Sequence, residues 1–137
     1  MPVVDATDSV LGRFASVVAK RLLLGEEIVV VNAEKAIISG NKISVFEDYK
    51  KMRKIGSQVS GPHYPRMPDK IVTRAIRGMM PYQKPRGRTA FKRLRVYIGI
   101  PEIYASSEME RIEEASGSLK CEHMKVGDLS RKLGAKF

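Results

Sequence analysis

The sequence contains no tryptophan, one cysteine and two histidines in 137 residues. The lone Cys121 rules out an internal disulfide and fits a reducing compartment. So few soft ligands give no zinc framework of familiar spacing. Cys121-Glu122-His123 offers two ligands, and two do not make a site. Long apolar runs are missing as well. The longest unbroken aliphatic stretch is Ile28 to Val31, far short of the roughly 20 residues a membrane-crossing helix requires. Asp5 and Asp8 stand where a secretory leader would be basic and then apolar, so no signal peptide is expected. There is no Walker-type glycine loop, no dinucleotide fingerprint, no internal repeat and no low-complexity tract. Cofactor, metal, membrane and small-molecule substrate are all expected to be absent.

The most informative absence is of acid. Between residues 50 and 95 fourteen Lys or Arg accompany one acid, Asp69, while the rest of the chain has eleven bases and fourteen acids. The net charge of +10 therefore sits on one block. Its centre, "IRGMMPYQKPRGRTAFKRLRV" from Ile76 to Val96, has seven cations and no acid. An idle soluble surface gains from mixed signs. A one-signed block repels itself unless an anionic partner neutralises it, which leaves nucleic acid or an anionic membrane. Lack of Trp and the Pro-broken, loop-rich basic segments count against a membrane-surface helix.

The length suits a single domain, residues 1–137, with its own core. The chain opens with a short strand at Val3 and Val4. A helix follows on Val10, Leu11, Phe14, Val17, Val18 and Leu22, with Thr7 or Asp8 as its cap and Gly25 as its left-handed exit. "IVVVNA" reads as a strand covered on both faces. Ala36 to Ile38 read as a short extended piece. A helix from about Lys42 to Lys54 is expected to bury Ile43, Phe46 and Tyr49. Residues 56–68, with five Gly or Pro in thirteen, form a loop. The next helix has Ile71, Val72, Ala75, Ile76 and Met79 on one face and Lys70, Arg74 and Arg77 as a row. Another is expected on "RTAFKRLR", with Phe91 and Leu94 inward and Arg88, Lys92 and Arg95 as a second row. "VYIGIP" reads as a buried strand, the acidic segment after it as a solvated helix or linker, and the tail as a strand and short helix closed by Gly134. Strands alternating with helices predict an α/β fold with a largely parallel sheet.

One feature is enzyme-like. Asp5 and Asp8, at a strand end, are where α/β enzymes hold a metal and activate water. A metal-dependent phosphohydrolase or nucleotide-binding enzyme would use them so. The alternative is structural, with Asp8 capping the helix and Asp5 bonding the turn. "KVGDLSRKLG" resembles the first helix of a helix-turn-helix, but no recognition helix follows it. The basic block carries more. Arg and Lys bind phosphate by charge, and Arg adds a planar fork. Gly12, Gly61, Gly78 and Gly87 stand beside Arg or Pro, where a bare backbone could approach a sugar-phosphate chain. His63 and Tyr64 could stack on unpaired bases, or Tyr64 could anchor its loop.

"DATDSVLGRFASVVAKRLLLGEEIVVVNAEKAIISGNK" and "YPRMPDKIVTRAIRGMMPYQKPRGRTAFKRLRVYIGIP" resemble the universal L-thirteen family of large-subunit ribosomal proteins. The resemblance runs from about Val3 to Pro101 and resumes at "VGDLSRKLG". "RGMMPYQKPRG" is its most specific piece. The spacing is closer to the archaeal and eukaryotic branch, and the missing C-terminal extension points to the archaeal side. The resemblance implies a three-layer α/β/α fold around a mostly parallel sheet, with basic helical and loop extensions. It implies a non-enzymatic, cytoplasmic protein of the ribosome that binds large-subunit rRNA, lies beside other large-subunit proteins and helps assembly. By motif match the rRNA-facing residues would be Arg13, Arg66, Lys70, Arg74, Arg77, Lys84, Arg86, Arg88, Lys92, Arg93 and Arg95.

Overall fold

The computed structural model describes residues 2–54, 65–112, 115 and 122–137. The expectations for Gly61, His63, Tyr64 and Cys121 lie outside the described residues. Strand β1 (Val3–Asp5), helix α1 (Leu11–Leu23) and strand β2 (Ile28–Val31) make one crossover unit, with β1 and β2 adjacent and parallel. β4 (Leu94–Val96) joins the far edge of β2, and β5 (Met109–Arg111) the far edge of β1. The resulting order, β4-β2-β1-β5, is parallel throughout. β3 (Ile37–Ser39) and β6 (His123–Lys125) form a separate antiparallel pair. This is the expected α/β architecture around a mostly parallel sheet.

Side-chain alternation divides the core. Val4, Ile28 and Val30 face the cluster built with Phe14, Val18 and Leu22 of α1. Helices α3 (Pro68–Gly78), α4 (Pro85–Phe91) and α5 (Val126–Lys132) add Ile71, Ile76, Ala90 and Val126 to it. Each such aliphatic side chain, once buried, contributes about 1.5–3 kcal/mol. Val3, Val29 and Val31 point to the other face, against Tyr97, Tyr104 and Met109. Helix α2 (Lys42–Lys54) closes a smaller cluster with Met124 and Leu129.

Several local expectations give way to tertiary demands. Neither Thr7 nor Asp8 caps α1; Val10 precedes the helix, and no side chain bonds its first turn. Thr7 and Asp8 form a turn instead, and Ser9 and Val10 after it are extended. The Asp8 amide donates to the Lys35 carbonyl (3.0 Å), and the Ile37 amide donates to Ser9 (2.8 Å). That pairing delays the helix to Leu11. In α2, Ile43 is 75% exposed and Val45 takes the buried position. Met79 is likewise exposed because α3 stops at Gly78, and Met80 turns inward. The helix expected over 88–95 ends at Phe91. Leu94 then begins β4, since Ile28 of β2 needs a partner there. The strand expected at Val96 to Pro101 therefore lies earlier. The acidic stretch holds a 3-10 turn (Glu102–Tyr104) and edge strand β5, with Glu110 bridging to Arg21 at 3.2 Å. Burial opposes the Arg21 charge, but Glu110 and Glu26 together hold its guanidinium above the usual value. No helix among the described residues is long and apolar enough to cross a membrane.

Candidate nucleic-acid interface

Pro68 opens α3 with a fixed φ, and Asp69 lies in its first turn, where negative charge opposes the helix dipole. Ile71, Val72 and Ile76 bury one face. On the outer edge stand the exposed Lys70 and Arg77, with the half-buried Arg74 between them, so this cationic row forms as expected. Pro81 to Lys84 then turn back, the Lys84 amide donating to the Pro81 carbonyl at 3.0 Å. Pro85 starts α4.

The α3–α4 junction is built from its own cations and a glycine. The Arg77 guanidinium lies over the Tyr82 ring, 4.1 Å from its centroid. Tyr82 meets Phe91 edge-on at 5.5 Å. Arg88 donates from Nε to the Tyr82 carbonyl (3.1 Å) and from Nη2 to the Gln83 carbonyl (2.8 Å). Gly87 is buried against the Pro81 carbonyl, which a Cβ there would overlap. Its bareness thus serves this packing, not the approach of a sugar-phosphate chain. Around Gly12 and Gly78 a Cβ would meet nothing within 4 Å.

Of the eleven cations singled out by the sequence, Arg13, Arg66, Lys70, Arg77, Lys84, Arg86, Arg88, Lys92 and Arg95 are exposed. Arg74, Arg77 and Lys84 converge with Tyr82 on an open concavity of about 410 Å³. Arg93 points elsewhere. It is half-buried and donates from Nη1 to the Leu22 carbonyl at 2.8 Å, satisfying the end of α1. Arg88, Lys92 and Arg95 do not form one helical row, because Arg95 belongs to β4. The ion-paired Arg21 and Arg131 lie outside this set.

Folding also assembles a cationic cluster that charge counting passed over. Lys42, Arg131 and Lys132 line a concavity of about 230 Å³ with Met124 and Asp128. Arg131 lies 4.7 Å from the Phe137 ring centroid, and Lys50 and Lys132 approach Phe46 at 5.9 and 6.0 Å. Apart from Lys50, these cations lie outside the 50–95 block, in segments where acids accompany them.

The strand-end acids have a structural use. Asp5 Oδ1 accepts from the Thr7 hydroxyl (2.6 Å), the Thr7 amide (2.9 Å) and Asn32 Nδ2 (3.1 Å). Burial pushes the Asp5 carboxyl up, but these bonds, with Arg111 nearby, outweigh it and hold the pKa below the usual value. Asp8 is exposed on a left-handed backbone (φ 57°). Among the described residues no three His, Cys, Asp or Glu side chains gather to hold a metal. Asp5 thus serves the turn, as in the structural reading, and the hydrolase alternative gains no support.

Comparison with known proteins identifies the family. Residues 1–102 match the family described as ribosomal protein L13. The chain is 47% identical to the large ribosomal subunit protein uL13 of Methanococcoides burtonii, over the full length of both. It is 48% identical to the protein of the same name from Archaeoglobus fulgidus and 50% to that from Methanopyrus kandleri. In each case the match covers 96% of this chain and 86% of the relative. With a one-signed cationic junction on an α/β core, and with identity near one half along the whole chain, this protein belongs to the ribosomal protein L13 family, a family of structural proteins and not of enzymes.

Proposed function

We propose that these 137 residues act as one domain of the large ribosomal subunit, in the cytoplasm, binding rRNA and helping the subunit assemble. The carrying observation is the α3–α4 surface, where Lys70, Arg77, Lys84, Arg86, Arg88, Lys92 and Arg95 are exposed together. Lys70, Arg77, Lys84, Arg86, Lys92 and Arg95 meet phosphates directly, with Arg13 and Arg66 extending the surface. Arg88 and Arg93 act chiefly by positioning, since their guanidiniums hold backbone carbonyls. Such contacts fix the protein's orientation on RNA and read little sequence. Where RNA segments converge, the charge offsets their repulsion, and other large-subunit proteins lie alongside. No reaction is catalysed.

The test replaces Lys70, Arg86, Lys92 and Arg95 together by Glu. All four are exposed, so the variant is expected to fold, with an unchanged circular dichroism spectrum. The unmodified chain should co-sediment with large subunits at moderate salt, and the variant should stay at the top of the gradient. Its affinity for an rRNA fragment should also lose about three units of log–log salt slope, at roughly 0.7–0.9 per phosphate contact. A folded variant that enters subunits normally sinks the proposal.

A further inference from the structure

Between α1 and the link following α3 lies a groove of about 480 Å³ that shares only Arg86, at its rim, with the proposed phosphate-binding set. Ala19, Leu23, Leu24 and Met79 line it with aliphatic surface, and the exposed Lys20 and Arg86 line it too. Leu24 is 74% exposed and Met79 46%. A single exposed leucine is ordinary, but two large apolar side chains from different elements converging on one groove form a patch. The patch is held in place. The Leu24 amide donates to the Lys20 and Arg21 carbonyls (3.1 and 3.2 Å), Gly25 takes the left-handed exit at φ 105°, and Arg21 clasps Glu26 at 2.8 Å. The Met79 amide is fixed on the Ile76 carbonyl at 3.1 Å.

The lining selects among occupants. An unpaired base seeks aromatic or guanidinium planes for its faces and partners for its edges, and here Arg86 alone offers a plane. No aromatic side chain lines the groove, and its one hydroxyl, on Ser16, donates to the Arg13 carbonyl at 2.8 Å. An aliphatic side chain would instead be covered by four apolar residues, and a carboxylate beside it would meet Lys20 and Arg86 with no lining acid to oppose it. We infer that this groove docks a segment of a neighbouring large-subunit protein, which inserts an apolar side chain and sets an Asp or Glu against Lys20 and Arg86. This rests on the ribosomal reading, because the subunit supplies the partner.

The experiment places the photo-crosslinking amino acid p-benzoylphenylalanine at Leu24 in the full chain, expressed in cells. Sedimentation comes first. Failure of the chain to join large subunits would speak against the ribosomal reading itself, separately from the groove. Isolated subunits are then irradiated and the adduct is sequenced by mass spectrometry. The expected adduct is to a ribosomal-protein segment with an apolar residue beside an Asp or Glu. Lys20→Glu should lower adduct yield per incorporated chain several-fold. An adduct to rRNA, to a segment without an acid, or to nothing at all overturns the inference, as does a yield that Lys20→Glu leaves unchanged.

Discussion

Gly87→Ala sets two physical effects against each other at one atom. Gly87 lies within α4, where Ala is intrinsically better than Gly by about 0.5–1 kcal/mol. Propensity alone therefore predicts stabilisation. The added Cβ, however, would overlap the Pro81 carbonyl and come within 2.9 Å of the Tyr82 amide nitrogen. Both obstacles are backbone, so no side-chain rotation relieves them, and the turn from Pro81 to Lys84 must move away from α4. Overpacking of this kind costs about 1–3 kcal/mol, and a backbone clash belongs at the upper end. The net expectation is destabilisation by about 2 kcal/mol, or roughly 6–10 °C in Tm for a chain of this size. Gly12→Ala is the matched control. It too is helical, but nothing lies within 4 Å of its Cβ, so it should be neutral or stabilising. Urea unfolding measures both, with m unchanged if only the native state is affected. The shifted turn carries Tyr82, on which Arg77 rests, so Gly87→Ala should also weaken rRNA binding. If Gly87→Ala matched Gly12→Ala in sign, the packing account of this junction would be wrong.

Other outcomes follow from the positioning residues. Arg93→Ala removes a charged donor from the Leu22 carbonyl and should cost about 1.5–3 kcal/mol in urea unfolding while leaving the salt slope of rRNA binding unaltered. A changed slope would return Arg93 to the phosphate-binding set. Asp5 has a folded pKa below its unfolded value of 3.8, so its stabilisation is full above that value and is lost as pH falls through the folded pKa. Asp5→Asn should therefore be less stable than the unmodified chain at pH 6, with the gap narrowing below about pH 4; a gap independent of pH refutes the hydrogen-bonded carboxylate. Neither the Asp5→Asn nor the Asp8→Asn change should alter rRNA affinity measured by filter binding.

Much of the fold was legible because it rests on local signals that tertiary structure had no reason to override. The wholly apolar Ile28–Val31 could only be a covered strand, and the helix expected from about Lys42 to Lys54 forms over those residues. The misplaced pieces share one cause. Arg88, Lys92 and Arg95 have helical spacing, yet Leu94 gains more by pairing with Ile28 across 66 positions than by extending α4 by one turn. Likewise, Glu110 looks solvated in sequence, but β1 has an edge to fill and Arg21 a charge to meet.

For the site, the sequence by itself determined the charge and its location, since an excess of cations without acids is a property of composition that folding cannot undo. It also carried the family, through motifs read in order along the chain. Only the tertiary structure decided what each cation does. Arg88 and Arg93 reach backbone carbonyls, Arg77 reaches a ring, and Lys70, Arg86 and Arg95 extend into solvent. The same holds for the groove of Leu24 and Met79, which lie 55 positions apart and meet only because α1 packs beside α3. The physical reason is range. Charge and hydrophobic period are written residue by residue, whereas a hydrogen-bond partner or a groove wall belongs to whichever segment packing brings within a few ångströms.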